Sequence, residues 1–308
     1  MIGYLCAYLR YYHPYEFITA YLNNANGEED VKNGNELAAR YGIKIIQPCF
    51  GLSRDKYFLN PEEKVIAKGI SSVKYMNANV ANELYALAEA GKPESFMDLL
   101  MLLNEKTHLD ARQREILVKI DYFSSYGNAK ELLRMGNLFS FFKNGTMKKI
   151  SKDKLTPELE PVVARYATDK TKSGALAKSY TFTDLPGLLR HIESMVQDMH
   201  IPDFDLKSKM QIQLENLGYI DLTTNKKEDQ RKLVIMNIYP LKSKVKGNIW
   251  AYALQVRSIG TGKTNRWTIY SELFDRKPLK QFDIIQVPAN GWGRQRGYLY
   301  LYQYDYVI

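Results

Sequence analysis

Few residues in this sequence have the types and spacing that catalysis requires. Asp203 and Asp205 are separated by one residue, and two carboxylates at that spacing could hold Mg²⁺ for phosphoryl transfer. The expected third carboxylate and surrounding strand are missing, so we interpret the pair as part of a solvated loop before a helix. Cys6 and Cys49 stand alone, and the histidines show no pairing at metal-ligand spacing. The sequence therefore predicts no catalytic residue, metal site or cofactor on this chain.

A glycine-containing segment, residues 257–264, resembles the end of a Walker A loop, which cradles phosphates. Arg257 stands where the first glycine is required, and the residues that follow have the pattern of a strand. Without a helix N-terminus there is no phosphate cradle of the usual kind, so we predict a β-hairpin turn. Lys263 and Arg266 could still contact a DNA backbone.

The strongest chemical pattern lies in residues 231–308. This segment holds 13 Lys and Arg against 4 Asp and Glu, whereas the other 230 residues balance at 30 against 30, and it contains all three tryptophans and eight tyrosines. Positive charge interleaved with flat rings is typical of nucleic-acid surfaces, since cations contact phosphates and rings stack on unpaired bases. The candidate DNA-binding residues here are Trp250, Tyr252, Arg257, Lys263, Arg266, Trp267, Trp292, Arg294, Arg296, Tyr298 and Tyr300.

A second interpretation of these aromatic residues stays open. Aromatic side chains are favoured in strands in any case, and one face of a small barrel must be filled. Alternation in residues 298–308 predicts five tyrosines on one side of a strand. Those tyrosines could pack against the helical region instead of DNA, which leaves Trp292, Arg294 and Arg296 as the sharper candidates.

The elements that must position these residues predict a multidomain α+β fold. We divide the chain into a helical segment at 1–60, two helix–turn–helix pairs at 61–135, a helical connector at 136–230 and a β-barrel at 231–308. Five strands in the last part suit an oligonucleotide-binding (OB) barrel better than a seven-stranded sandwich. The predicted strands are 43–46, 232–241, 248–259, 264–271, 282–288 and 298–308. The predicted helices are 3–24 with a break at His13-Pro14, 35–41, 65–73, 78–90, 110–119, 129–135, 158–167, 184–199 and 206–217.

Several short motifs, taken in order, resemble one protein family. The segments are 4–10, 13–17, 42–48, 69–74, 96–99, 117–127 and 214–219. Together they are similar to part of the bacterial DNA polymerase III alpha subunit, a C-family polymerase. The resemblance implies that 1–60 is fingers-like, that 61–135 is a tandem helix-hairpin-helix, and that the β-barrel is the family's OB domain.

The hairpins depart from the family's pattern. Family hairpins usually carry glycines whose backbone N–H groups approach a phosphate closely. Tyr75 and Asn77 stand at the first pair of these positions and Asp121 at the second, where a carboxylate would repel phosphate. A helical scaffold without DNA contact is therefore an equal alternative. The hairpin residues that the resemblance makes candidates for DNA binding are Lys74, Asn77, Lys119, Gly127, Asn128 and Lys130.

The family's palm and its catalytic aspartates precede the fingers and are not found on this chain. We therefore expect a DNA-binding C-terminal portion of a polymerase III alpha-like protein, contacting primer-template duplex and single-stranded template. Such a chain would be inactive alone, and Mg²⁺ would serve only an N-terminal catalytic partner. The alternative is a stand-alone DNA-binding, regulatory or inhibitory protein derived from such a polymerase.

The expected partners are DNA, the catalytic polymerase portion and a sliding clamp. Clamp binding in the family uses a short Gln-containing apolar peptide, for which Gln197, Met199 and Ile201 are the candidates, although a buried amphipathic helix is the simpler interpretation. No apolar run approaches the roughly 18 residues of a membrane span, and the first residues lack a signal-peptide pattern. A cytoplasmic location in a bacterium or a phage-infected cell is expected.

Overall fold

The computed structural model describes residues 2–143, 148–170, 175–220, 222, 227–243 and 247–307. It divides into two compact units, Met1–Phe204 and Asp205–Ile308, and confirms the mixed α+β class. The division falls inside the predicted connector, and the four-part division at 60, 135 and 230 stays a prediction.

The first unit is mainly helical. Its helices are α1 Ile2–Tyr12, α2 Pro14–Asn23, α3 Glu28–Arg40, α4 Ala78–Glu89, α5 Phe96–Lys106, α6 Ala111–Lys119, α7 Ala129–Lys143, α8 Glu160–Arg165 and α9 Leu185–Asp198. Two three-stranded sheets accompany them. The first contains β1 Lys44–Ile46, β2 Phe58–Asn60 and β3 Val65–Ala67 in the order β1-β3-β2, and the second contains β4 Lys149–Ser151, β5 Ala167–Lys170 and β6 Leu176–Phe182 in the order β4-β6-β5.

Local sequence explains where several of these helices begin. Pro14 occupies the first position of α2, where a missing N–H has no cost, and this separates α1 from α2 as predicted. The Ser95 side chain caps α5, and Asp110 forms a capping box with Gln113 at the start of α6. The carboxylate of buried Glu193, on α9, accepts hydrogen bonds from the first two backbone N–H groups of α5 at 2.9 and 3.0 Å and so joins the two helices.

The helix predicted at 65–73 is wrong. Residues 65–67 form strand β3, which pairs with β1 on one side and β2 on the other, and a single 3₁₀ turn, Ile70–Ser72, follows. Val65 and Ile66 are β-branched and fully enclosed, which favours the centre of a sheet over a helix. The first predicted helix pair therefore begins with a 3₁₀ turn, whereas α6 and α7 form the second pair.

The second unit is built on one sheet. Helix α10 is Leu206–Leu217 and helix α11 is Ser271–Arg276. The strands are β7 Lys232–Lys242, β8 Ile249–Ser258, β9 Thr264–Tyr270, β10 Ile284–Gln286, β11 Trp292–Gln295, β12 Tyr298–Leu301 and β13 Asp305–Tyr306. They form a curled half-barrel in the order β11-β12-β9-β8-β7-β10-β13, with Leu254, Ile269 and Leu301 in its core. Strands β8 and β9 form the hairpin that was predicted instead of a Walker A loop.

The sheet contains seven strands where five were predicted. Residues between the predicted strands 282–288 and 298–308 form β11, which pairs with β12 through the two-residue turn Arg296-Gly297. Both turn residues have positive φ, 47° and 86°, which is the geometry that suits a tight hairpin. The predicted final strand is interrupted after Leu301, and its remainder forms β13 against β10.

The interruption removes the predicted row of five tyrosines. Tyr304 is 3% exposed in the core, and its hydroxyl donates to the backbone carbonyl of Lys277. Burial raises the pKa of this phenol. Tyr306 donates in the same way to the carbonyl of Pro278. These two tyrosines hold the end of the chain against residues 277–278, so simple alternation was wrong beyond residue 301.

Of the helices that the structure describes, none is both long enough and apolar enough to cross a membrane.

Candidate nucleic-acid interface

The second unit presents one sheet face that faces away from its core, here called the outer face. Residues directly opposite each other on neighbouring strands share a face. Across β7, β8, β9, β12 and β11 one such row contains Tyr239, Ala253, Thr268, Tyr300 and Gly293. The central members are small, so the larger rings on either side stand above them. The outer face is therefore a shallow surface with aromatic residues at its sides.

Four aromatic rings form a continuous group on and beside the outer face, here called the aromatic row: Trp250, Tyr270, Tyr300 and Tyr302. The ring centroids of Tyr270 and Tyr300 are 5.5 Å apart at 22°, and those of Tyr300 and Tyr302 are 6.5 Å apart at 8°. Trp250 lies 6.2 Å from Tyr270. Trp250 and Tyr270 are about two-fifths exposed, at 41% and 40%. Both side chains therefore retain surface that a ligand could contact.

Gly293 explains how Tyr302 reaches this row although it lies beyond β12. A Cβ atom at position 293 would lie 2.8 Å from Cε2 of Tyr302, so only glycine leaves room for the ring. Gln295 Nε2 donates to the Tyr302 hydroxyl at 2.9 Å, and the Tyr302 backbone N–H donates to Gly291 at 2.7 Å. The ring is thus held at both ends over β11.

Cationic residues follow the aromatic row along β9 and β8. Arg266 is exposed on the outer face opposite Gln255, whose side-chain oxygen accepts from Asn237 at 3.0 Å. Arg257 is half-buried, because Val234, which lies opposite on β7, packs in a second small core with α10. Lys263 is exposed in the turn between β8 and β9. The outer face thus combines rings at one end with positive charge toward the other.

The structure brings together only some of the predicted residues. Tyr298 and Tyr300 lie on the outer face with Arg257 and Arg266, and Trp250 lies beside it. Trp267 is 8% exposed and belongs to the core, so neither face of its indole is open to a base.

The remaining predicted residues of the second unit lie elsewhere. Tyr252 faces the core side and stacks on Phe274 of α11 at 3.9 Å. Trp292 and Arg294 are exposed on the opposite face of β11 from Gly293, since they are in register with Leu301 and Leu299. Arg296 lies in the turn after them. These three residues form part of the connection between β10 and β12 and not of the outer face.

Four residues of the outer face were missed by sequence reasoning: Tyr239, Tyr270, Gln295 and Tyr302. Tyr270 could have been found, because it follows Arg266 by four residues on one strand and so shares its face. Tyr239 could not have been found in this way, because only its pairing with Ala253 shows which face it shares, and β7 has a bulge between Ile235 and Asn237. Tyr302 could not, because its position depends on the break after β12 and on the space above Gly293.

The candidate residues of the first unit mostly have partners within the protein. Asn77 caps α4 by accepting from the Val80 backbone N–H at 3.0 Å. Asn128 caps α7, because its side-chain oxygen accepts a hydrogen bond from the Glu131 backbone N–H at 3.0 Å. Its side-chain amide also donates to the backbone carbonyl of Ile201 at 2.8 Å. Both asparagines therefore stabilise helix ends and loop connections.

Two of the three cationic candidates of the first unit, Lys119 and Lys130, also have partners within the protein. Lys119 pairs with Glu115 at 2.6 Å, one turn earlier on α6, and the ammonium of Lys130 lies 5.1 Å from the ring of Phe204. Lys74 is exposed, and Gly127 adopts a φ of 152° just before α7.

The turns at Tyr75 and Asp121, where hairpins were predicted, adopt left-handed backbone without glycine. Tyr75 has φ 66° and Asp121 has φ 65°. The Tyr75 carbonyl accepts from Gln113 at 2.7 Å, and the guanidinium of Arg112 lies 3.9 Å from its ring. These contacts support the strained turn from the side of α6, so the turn is already packed against protein.

The aspartate pair at 203 and 205 and the candidate clamp peptide lie at the ends of helices. Asp205 caps α10 by accepting from Ser208 at 2.7 Å, which confirms the predicted loop before a helix. Gln197 and Met199 are exposed where α9 ends, and their proposed role in clamp binding, with Ile201, stays a prediction. Within the described residues no group of three or more His, Cys, Asp or Glu side chains could hold a metal ion.

Comparison with known proteins adds one similarity. No protein-family model matches the sequence. The chain is 21% identical over 281 residues to the DNA polymerase III subunit alpha of Ureaplasma parvum serovar 3, and the alignment covers 90% of this chain but 25% of that subunit. The distant similarity agrees with the resemblance identified from the motifs. Over most of its length, this chain is similar to a quarter of a DNA polymerase III alpha subunit.

Proposed function

We propose that this chain is a DNA-binding portion of a polymerase III alpha-like protein, which holds single-stranded template and the adjoining primer-template duplex and has no catalytic palm of its own. The observation that carries the proposal is the outer face, where stacked and accessible tyrosines lie beside Arg266 on a unit with most of the excess positive charge. Each base that stacks on an aromatic ring contributes about 1–3 kcal/mol.

The strand pairing supports an OB-like arrangement. Strand β7 pairs with both β8 and β10, β7 to β9 form a meander, and β12 joins β9 in parallel. In this arrangement β8 and β9 are the second and third strands, whose face binds oligonucleotides in OB folds. The connection from β10 to β12 is the loop before the fifth strand, which also contacts ligand in OB folds. Trp292, Arg294 and Arg296 on that loop are thus proposed contacts from the side.

The exposed surface of helix α1 supports the proposal that this chain binds a catalytic polymerase partner. Every residue from Gly3 to Tyr12 is exposed. Arg10 is the one charged residue in this stretch, and an exposed surface so rich in apolar and aromatic side chains is usually covered by a partner. The large exposed side chains are Tyr4, Leu5, Tyr8, Leu9, Tyr11 and Tyr12. Because the chain spans a quarter of its relative, we propose that α1 docks on the catalytic portion, which would carry the Mg²⁺ site.

Binding titrations at several salt concentrations test the DNA part of the proposal. The probes are a fluorescent single strand, a duplex of equal length and a primer-template junction. We expect the single strand and the junction to bind more tightly than the duplex. The logarithm of affinity for the single strand should fall with the logarithm of salt by about 0.7 for each phosphate neutralised. Affinity that does not change with salt would contradict the proposal.

A primer-extension assay tests the proposal that this chain acts with a catalytic polymerase partner. With Mg²⁺ and deoxynucleotides, the chain alone should extend no primer, and measurable extension would contradict the absence of a palm. Adding a polymerase III alpha subunit that lacks the matching quarter, from the same organism, should restore extension. Replacing Tyr4, Tyr8 and Tyr11 by Ser should prevent that restoration while DNA binding by the chain persists. A wild-type chain that never restores extension would favour the stand-alone regulator.

A further inference from the structure

A cleft of about 420 Å³ opens at the end of the aromatic row, entirely within the second unit. It lies between the start of β8, the end of β9, helix α11 and the residues at the end of β12. Its volume is within the range of roughly 300–1,000 Å³ that is typical of small-ligand sites. Binding of DNA to the outer face does not by itself require a cleft. The residues that line the cleft therefore indicate which ligand it binds.

The lining of the cleft suits a flat, unsaturated ring. Trp250, Tyr270 and Tyr302 line its walls, and Ile249, which is 37% exposed, contributes aliphatic surface. Indole and phenol rings stack on any nucleobase, because every base has a π-face.

The rim of the cleft is polar. Glu272 and Arg276 lie one turn apart on α11. Their carboxylate and guanidinium are 3.8 Å apart, and both side chains are largely exposed, at 87% and 77%. A guanidinium offers several N–H donors and a carboxylate offers acceptors, which are the groups that recognise the edges of bases. The site thus combines stacking walls with a hydrogen-bonding rim.

We propose that this cleft captures one unstacked nucleobase of the bound single strand. The inference rests on the proposed function, because Tyr270 and Tyr302 belong both to the cleft and to the aromatic row. Tyr270 is 40% exposed and lines the cleft at the end of the row, so a strand that follows the row brings one base to the mouth of the cleft. The cleft therefore ends the path of the strand and gives it a defined register on the outer face.

Photo-crosslinking of the full chain to an oligonucleotide that contains 5-iododeoxyuridine tests this site. We expect a crosslink at Trp250, located by mass spectrometry. Trp250→Ala should weaken single-strand affinity at least about fivefold, the factor given by the loss of one stacked base. Trp250→Phe should retain most of the affinity, since it keeps a stacking ring. Tyr41→Ala is the matched control, because Tyr41 is 40% exposed, like Trp250 at 41%, but belongs to the first unit and not to the outer face, so it should leave affinity unchanged.

The outcomes separate the cleft from the proposed function. Salt-dependent single-strand binding with no crosslink at Trp250 and unchanged affinity in Trp250→Ala would overturn the cleft and leave the proposed function standing. Absence of all single-strand binding by the folded chain would overturn both. Loss of the Trp250 crosslink in a micromolar mixture of the four deoxynucleoside monophosphates would identify free nucleotide as the occupant and overturn the assignment to a strand.

Discussion

The DNA-binding candidates of the two units differ in what their side chains already do. In the first unit, Asn77 and Asn128 cap helices and Lys119 pairs with Glu115. In the second unit, the rings of Tyr270 and Tyr300 lie 5.5 Å apart, Tyr270 is 40% exposed, and Arg266 is exposed on the same face. A polar side chain whose hydrogen bonds stabilise its own fold has few donors or acceptors free for a ligand. An exposed ring on a strand can stack on a base without rearrangement of the protein. The difference predicts that changes in the first unit lower stability and that changes in the second lower DNA affinity.

The largest effect should come from removing two rings of the aromatic row. Tyr270→Ala with Tyr300→Ala should lower affinity for a single strand at least about 25-fold, because each of two stacked bases contributes at least about 1 kcal/mol, a factor of about five. The melting temperature should change little, since neither ring belongs to the core. Fluorescence anisotropy and thermal unfolding measure the two quantities. Tyr4→Ala with Tyr11→Ala removes two exposed rings from α1 and serves as the control. If the control lowered affinity as much, the outer face would not be the binding surface.

A large effect on stability should follow from Asn128→Ala. This change removes the cap of α7 and the hydrogen bond to Ile201, which together should cost about 1–3 kcal/mol of unfolding free energy. Asn128→Asp keeps the cap and loses the amide donor, so its cost should be smaller. Chemical denaturation measures both, and single-strand affinity should equal that of the wild type. Weakened binding in the folded variant would restore a DNA-binding role to the hairpin.

Removing one cation should have a moderate effect. Arg266→Ala should weaken single-strand binding severalfold and reduce the salt slope by about 0.7, the contribution of one phosphate contact. Arg266→Lys keeps the charge and should keep the slope. Titrations at four or more salt concentrations measure it. An unchanged slope in Arg266→Ala would show that this residue contacts no phosphate.

The smallest effect is expected for Lys119→Ala. An exposed ion pair between neighbouring helix turns contributes about 0.3–0.5 kcal/mol, so stability should change by no more than that. DNA affinity should be the same within error, although Lys119 belongs to the segment that resembles a family hairpin. A severalfold loss of duplex affinity would contradict the contrast between the two units.

The parts of the fold that follow local rules could be predicted from the sequence. Pro14 separates two helices, and alternating residues gave β7, β8 and β9 nearly to their ends. Residues 65–67 could not be recognised as a strand, because three residues are too few to show alternation and the apolar spacing over 65–73 favours a helix. Their assignment depends on pairing with β1 and β2, which are distant in sequence.

Only part of the candidate site could be predicted, because it too depends on pairing between strands that are distant in sequence. Arg266 and Tyr300 share the outer face only because β9 pairs with β12, a contact between strands that are not consecutive. Trp267 and Arg266 are neighbours in sequence, and alternation places one in the core and the other outside. Sequence composition could locate the basic, aromatic segment at residues 231–308. Only the register of the paired strands distinguishes the rings on the outer face, which can stack on a base, from the rings in the core, which cannot.

Hydroxyl-radical footprinting of the tyrosine side chains, with and without a single-stranded oligonucleotide, tests the central claim most directly. Tyr298, 66% exposed on the outer face, and Tyr75, 57% exposed at a hairpin turn of the first unit, have similar exposure in the free protein. We predict that DNA protects Tyr298, Tyr300 and Tyr270 from oxidation and leaves Tyr75 unchanged. Protection of Tyr75 with continued oxidation of Tyr298 and Tyr300 would contradict the account and place the DNA on the hairpins.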